Sequence, residues 1–342
     1  MPEQAEPEVQ EFSDGDLAYI GNSHGLEREL VTRTGIRCSL FPMAPPSSAT
    51  GVGLLVLATF RSAAVLMRFR PNVTFATGGY ASVPCAVASW LLRIPLVVFL
   101  PDAAPGKAVR LLAPMARTIA VSTEDVVRLL PERKTVVTGY PVREWFRTVS
   151  RKAGRERFAI PDRESVICVF GGSLGARSIN QALGASLPSL LESVYVLHIA
   201  GEQRMHEAEL ASSGLSSEQK ARYRLYPYLH DEDMALALAA ADLVICRSGA
   251  STLGELPAVG VPAILVPLPH TSVNQASNAE FLARHGAAVV IPDGELAARL
   301  GPCIDMLLGD PERLRNMASA SRALARPEAA ERIASLIRGA GR

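Results

Sequence analysis

The chain has 342 residues, enough for two ordinary domains that each bury a core, and 48% of them are hydrophobic against 20% charged. That balance excludes a disordered or fibrous protein, and a formal net charge of +1 by itself identifies no partner. Five scattered cysteines (Cys38, Cys85, Cys168, Cys246, Cys303) with no paired spacing and no secretory start point to reduced cytoplasmic thiols rather than a disulfide framework or a metal site.

Charge is unevenly spread. Residues 1–16 carry six acidic side chains and no basic one, whereas residues 51–142 carry ten Lys or Arg against four Asp or Glu. The basic stretch suits a diphosphate or an anionic membrane surface; a solvated basic face is the alternative.

In chain order, Leu17–Ile20 is the first strand candidate, and Pro42–Gly53 reads as a flexible loop. The apolar run from Gly51 to Phe69 is broken only by Arg61 and Arg68. It is expected to pack in the core, with contact to a bilayer surface as the alternative. Strands then follow at Val73–Ala76, Leu96–Leu100, Thr118–Val121 and Val136–Thr138, with a helix over Ser82–Leu92 between the first two. Gly139-Tyr140-Pro141-Val142-Arg143 forms the expected seam between a first domain (1–142) and a second (143–326), because proline stops the preceding strand.

Past the seam, strands are expected at Val166–Phe170, Val194–Ile199, Leu243–Cys246, Ala263–Val266 and Ala288–Ile291. Helices are expected at Ile179–Leu191, Met234–Ala241 and Thr252–Val259, and residues 327–342 as a closing amphipathic helix that returns to the first domain. Fully apolar strands alternating with helices argue for parallel sheets covered on both faces, in two doubly wound domains.

Four clusters carry the chemistry. The strand Val166–Phe170 runs into Gly171-Gly172-Ser173-Leu174-Gly175-Ala176-Arg177, and a helix opens just after it. Glycines allow close backbone approach, and a helix N-terminus directs unpaired N–H groups at an anion, so this loop suits a diphosphate; a purely structural tight turn is the other reading. Thr77-Gly78-Gly79-Tyr80 repeats the arrangement in the first domain. In Arg247-Ser248-Gly249-Ala250-Ser251-Thr252-Leu253-Gly254-Glu255, the carboxylate one turn into a helix can hold two ribose hydroxyls while Ser251 and Thr252 donate to phosphate. Alternatively Ser248 is a helix cap and Glu255 an ordinary first-turn acid. Gln275 and Asn278, one turn apart, can both reach sugar hydroxyls. His270 is equally well a loop residue, and Asp231-Glu232-Asp233 fits helix capping better than a metal site.

Taken in order, Phe75–Tyr80, Gly139–Arg143, Gly171–Arg177, Arg247–Thr252 and the Gln275 to Asn278 turn resemble the MurG family. Its members transfer N-acetylglucosamine from UDP to undecaprenyl-pyrophosphoryl-muramoyl-pentapeptide. The resemblance implies the GT-B fold, an α/β architecture of two doubly wound Rossmann-like domains facing a cleft. It implies an inverting hexosyltransferase of peptidoglycan synthesis, peripheral on the cytoplasmic membrane face, with no nucleic-acid partner, obligatory cofactor or metal. It places Arg143 and Ser173 at the nucleotide, Ala250, Ser251, Thr252, Leu253, Gly254 and Glu255 at diphosphate and ribose, Gln275 and Asn278 at the sugar, and Gly78, Gly79 and Tyr80 at the acceptor diphosphate.

Three departures stand out. The family opens with a strand and a glycine-rich loop ending in His, where this chain begins with the acidic Met1-Pro2-Glu3-Gln4-Ala5-Glu6. Asp102, in Phe99-Leu100-Pro101-Asp102, takes the place of a sugar-contacting Asn, and Tyr140 replaces the Asn before Pro141. His24 and Asp102 are weak candidates for the general base. The alternatives are a catalytically silent or split nucleotide-sugar-binding protein completed by a partner chain, a transferase acting on another lipid, and a UDP-sugar epimerase.

Overall fold

The computed structural model describes residues 17–24, 31–32, 34–172, 175–269 and 274–341. The chain divides into two compact units. The first takes residues up to Phe99 with Lys107–Ile119 and Leu336–Arg342; the second takes Leu100–Gly106 and Ala120–Ser335, so the Gly139–Arg143 seam lies inside it.

The first unit begins with strands β1 (Ala18–Asn22) and β2 (Arg37–Phe41), which pair in parallel as a two-stranded sheet. Helix α1 (Ala49–Phe69) follows, then β3 (Thr74–Ala76), α2 (Val83–Leu91), β4 (Leu96–Leu100), α3 (Lys107–Leu112) and β5 (Thr118–Val121). Strands β3, β4, β5 and β6 (Thr135–Val137), the last of which belongs to the second unit, form a four-stranded sheet in that order. The loop read at Pro42–Gly53 is shorter than expected. Ser48 Oγ accepts from Gly51 N at 3.1 Å, and this cap starts the helix at Ala49.

The expectation that 51–69 packs into a core is overturned. Of α1, only Gly51, Ala58, Ser62 and Leu66 are buried. Small residues at helical spacing make a stripe too narrow to cover the rest, so Val52, Val56, Phe60 and Met67 stand exposed, Phe60 at 71%. The helix is long and apolar enough to cross a membrane by length and composition.

The second unit continues through α4 (Trp145–Thr148), α5 (Arg151–Arg157), β7 (Ser165–Phe170), α6 (Arg177–Leu190), β8 (Val194–Ile199), α7 (Met205–Ser212) and α8 (Ser217–Arg222). Then come β9 (Tyr223–Tyr226), α9 (Asp231–Ala240), β10 (Leu243–Cys246), α10 (Thr252–Val259) and β11 (Ala263–Leu265). The closing elements are α11 (Gln275–Arg284), β12 (Ala288–Val290), α12 (Leu296–Leu308), α13 (Pro311–Ala323) and α14 (Ala329–Ala340).

Its six strands lie in the order β12-β11-β10-β7-β8-β9, and every pair is parallel. The two-residue side-chain period explains why both faces are covered. Val166, Cys168, Val244 and Cys246 enter one core, while Ile167, Val169, Leu243 and Ile245 enter the other. This is the order of a doubly wound nucleotide-binding sheet, in which the winding reverses between β7 and β10. Strand β9 was not expected, since Tyr223-Arg224-Leu225-Tyr226 mixes a charge into a short edge strand.

Candidate functional site

Beyond the carboxyl ends of β7 and β10, where the winding reverses, two helices open side by side. Such a switch point is where open α/β sheets take ligands. After β7 the chain turns sharply, with Gly175 N donating to Gly172 O at 2.9 Å. Gly172 and Gly175 have φ of +86° and +71°. A Cβ at Gly175 would sit 2.3 Å from Ala200 O, and one at Gly171 would sit 2.1 Å from Ala176 N, so no other residue fits either place. Helix α6 then starts behind Ala176, which supplies no side-chain cap, and the positive end of such a helix favours an anion. Ser173, expected at the nucleotide, lies outside the described residues, as does His270.

A buried polar chain supports this turn. Asn180 Nδ2 donates to Ala200 O at 3.0 Å, so its Oδ1 accepts from His198 Nε2 at 3.1 Å. His198 Nδ1 is therefore the acceptor for Tyr223 Oη–H at 2.7 Å. Burial holds His198 neutral, with its pKa pushed down to about 4. The sequence reading missed all three residues, although His198 in the middle of an apolar strand was a visible signal.

After β10, Arg247 is committed to structure. Its guanidinium donates to Asp293 Oδ1 at 2.5 Å, Ser178 Oγ at 2.9 Å and Val266 O at 3.2 Å, and Ser178 in turn donates to Asp293 at 2.6 Å. Burial raises the Asp293 pKa, but hydrogen bonds from Ser178 and Arg247 and the Arg247 charge outweigh it, so the carboxyl lies below its ordinary value. Ser248 is no helix cap: it is buried and donates to Gln275 O at 2.8 Å. Helix α10 starts behind Ser251 with no side-chain cap. Thr252 is also buried, and its hydroxyl donates to Gly249 O at 2.6 Å, so it shapes the loop instead of offering its proton to phosphate.

Gly254 joins the seam to this helix. A Cβ there would lie 2.8 Å from both Tyr140 Cδ1 and Val142 Cγ1, so only glycine lets the seam dock. Docking gathers Tyr140, Arg143, Glu255 and Asp102. Glu255 is half-buried; burial raises its pKa above the ordinary value, against the hydrogen bond from Ser251 and the charge of Arg143. Tyr140 is pushed up by burial and by the nearby charges of Glu255 and Asp102, with Arg143 opposing. The Arg143 guanidinium lies over the Phe146 and Trp145 rings, at 5.6 and 6.0 Å from their centroids.

Asn278 is fully buried and its amide is committed: Nδ2 donates to Asp102 Oδ1 at 2.9 Å and to Ser248 O at 3.0 Å, while Oδ1 accepts from Ala103 N at 2.8 Å. It is thus a strut between α11 and segment 102–104. Asn274 Nδ2 reinforces it through Ala104 O. Gln275 is half-buried beside this strut, its Oε1 accepting from Leu268 N at 2.9 Å. The Asp102 carboxyl is raised by burial, against the Asn278 hydrogen bond. Asp233, in the acidic triplet, forms a bidentate pair with Arg157 at 2.7 and 2.8 Å.

In the first unit, Gly78 and Gly79 have φ of +82° and +76°, a geometry that favours glycine. Asn22 Nδ2 donates to Tyr80 Oη at 3.4 Å, joining the loops after β1 and β3. His24 is exposed, with Nδ1 3.2 Å from Ser23 Oγ.

Two family models match the chain: the glycosyltransferase family 28 N-terminal domain over residues 9–121 and its C-terminal domain over residues 166–333. Among curated proteins, it is similar to the UDP-N-acetylglucosamine--N-acetylmuramyl-(pentapeptide) pyrophosphoryl-undecaprenol N-acetylglucosamine transferase of Roseiflexus sp. (strain RS-1), at 39% identity over 93% of this chain and 82% of the relative. The protein of the same name from Desulforudis audaxviator is 38% identical over 95% and 90%. Among solved structures, Acinetobacter baumannii MurG aligns at a TM-score of 0.75 and 25% identity, covering 94% of this chain and 90% of that one. The UDP-GlcNAc 2-epimerase of Neisseria meningitidis aligns at 0.63 and 14% over 92% and 89%, a likeness of fold alone.

Proposed function

We propose that this chain, which belongs to the MurG family of glycosyltransferases and has its GT-B fold, transfers N-acetylglucosamine from UDP-N-acetylglucosamine to a lipid-linked muramoyl-pentapeptide in peptidoglycan synthesis. The observation that carries this reading is the pair of uncapped helices, α6 and α10, opening beyond adjacent strands β7 and β10, with Glu255 one turn into α10. Two positive helix ends suit a diphosphate, and a carboxylate at that depth suits a vicinal diol.

In this reading the backbone from Ala250 to Gly254 holds the diphosphate and Glu255 holds the ribose. Arg143 lies at the nucleotide end, Gln275 at the glucosamine hydroxyls, and Gly78-Gly79-Tyr80 at the acceptor diphosphate. The muramoyl 4-hydroxyl displaces UDP at the anomeric carbon with inversion. Departing UDP gains negative charge, which the helix ends and Arg143 are placed to stabilise without reorganisation. Asn278 acts one step back, fixing Asp102 and the start of α11 beside the sugar.

The same reading places the chain peripherally on the cytoplasmic membrane face. The exposed Val52, Val56, Phe60 and Met67 of α1, with the exposed Arg61 and Arg68 on the same helix, support an apolar insertion accompanied by two charges that attract anionic lipid. The test is transfer of labelled N-acetylglucosamine from its UDP donor to the lipid-linked acceptor in vesicles. Label appearing in the lipid phase only when both substrates are present is the expected result. Donor binding without transfer would instead mark a silent nucleotide-sugar binder.

A further inference from the structure

At the opposite end of the second unit's sheet, the amino ends of β7, β10 and β11 meet α13 around a cavity of about 510 Å³. This end holds none of the loops described above. Arginines line the cavity from three directions: Arg151 from the start of α5, Arg163 from the loop before β7, and Arg315 with Arg322 from α13. The last two lie two helical turns apart and so share a face.

The two carboxylates that line the cavity neutralise Arg151 but, among the described residues, form no ion pair with Arg163, Arg315 or Arg322. Asp242 is engaged by Arg151 at 2.6 Å and by the buried Arg155 at 3.1 Å, and Glu164 is engaged by Arg222 at 3.0 Å. Arg163 and Arg315 form no ion pair among the described residues. Several other arginines of the unit do find acids, as Arg157 does with Asp233, Arg247 with Asp293 and Arg326 with Glu124.

The cavity is also built. Arg155 Nη1 donates to Pro161 O at 2.6 Å and to Asp162 O at 2.8 Å, fixing the loop that presents Arg163. Gly260, with φ +75°, leaves room for the Arg322 guanidinium, since a Cβ there would lie 2.6 Å from its Nε. The guanidinium groups of Arg163, Arg315 and Arg322, lining one cavity without carboxylate partners among the described residues, favour an oxyanion that can accept several N–H bonds at once.

We propose that this cavity is a second anion site, distinct from the switch-point loops, that takes a small phosphate-bearing polyanion. The test is calorimetric titration of inorganic pyrophosphate into full-length protein saturated with UDP, so that the loops are occupied, repeated in an Arg163→Ala/Arg315→Ala variant. Both side chains are exposed, and the fold should tolerate their loss. The expected result is a binding event in the wild type that weakens about tenfold or more in the variant, with donor affinity unchanged. No pyrophosphate binding in UDP-saturated protein, equal binding by the variant, or the same heat from sodium chloride at matched ionic strength would overturn the proposal.

Discussion

At Glu255, burial and hydrogen bonding pull in opposite directions. Burial favours the neutral acid, while Ser251 and Arg143 favour the carboxylate, and the net pKa lies above the ordinary value. An acid raised on folding opposes folding once ionised, so its contribution to stability falls as pH rises through the interval from the unfolded to the folded pKa. If the ionised form grips the ribose, donor affinity moves the other way and falls as pH drops through the raised pKa. Glu255→Gln should therefore be no less stable at neutral pH, should bind UDP-N-acetylglucosamine about tenfold more weakly, and should lose that pH dependence. Affinity measured across the acidic range checks this, and an unchanged profile would count against the ribose role.

The elements around the site depend on buried polar links. Tyr223, His198 and Asn180 run from edge strand β9 across β8 to α6 and end on Ala200 O, the atom against which Gly175 is packed. His198 takes up its proton only near pH 4, whereas in an unfolded chain it does so near 6.5. Stability should thus be lost as pH falls between those values, by at most ~3 kcal/mol, from this one residue. His198→Gln keeps a donor and an acceptor on the side chain and removes the titration. It should flatten the acid limb of a chemical-denaturation series, and an identical slope would refute the assignment.

Much of this scale was legible beforehand. The apolar runs at Val194–Ile199 and Leu243–Cys246 became strands with those bounds, because largely apolar segments must be buried on both faces. What was not legible was which polar side chains close on one another. Asn278 and Thr252 read as ligand contacts in the sequence, yet both are buried and committed to hydrogen bonds within the second unit. Local spacing gives the face of a helix, not what the fold lays against it.

For the whole molecule, the decisive feature is the apolar surface that the first unit exposes along α1. Trp90 and Leu91 at the end of α2 are also 52% and 63% exposed. Soluble proteins seldom leave a row of large apolar side chains exposed along one helix without a use. Phe60→Glu should lower sedimentation with anionic vesicles and slow transfer to a lipid-embedded acceptor, while leaving affinity for the soluble donor unchanged. A fall in donor affinity would show that α1 acts on the fold and not on the membrane.

The role given to the switch-point loops rests on the α10 opening and Glu255 receiving a uridine diphospho-sugar. The most direct measurement is calorimetric titration of UDP-N-acetylglucosamine into full-length protein, wild type and Glu255→Ala. A single saturable event that weakens about tenfold or more in the variant is expected. An absence of heat in the wild type, or an unchanged isotherm in the variant, would contradict it.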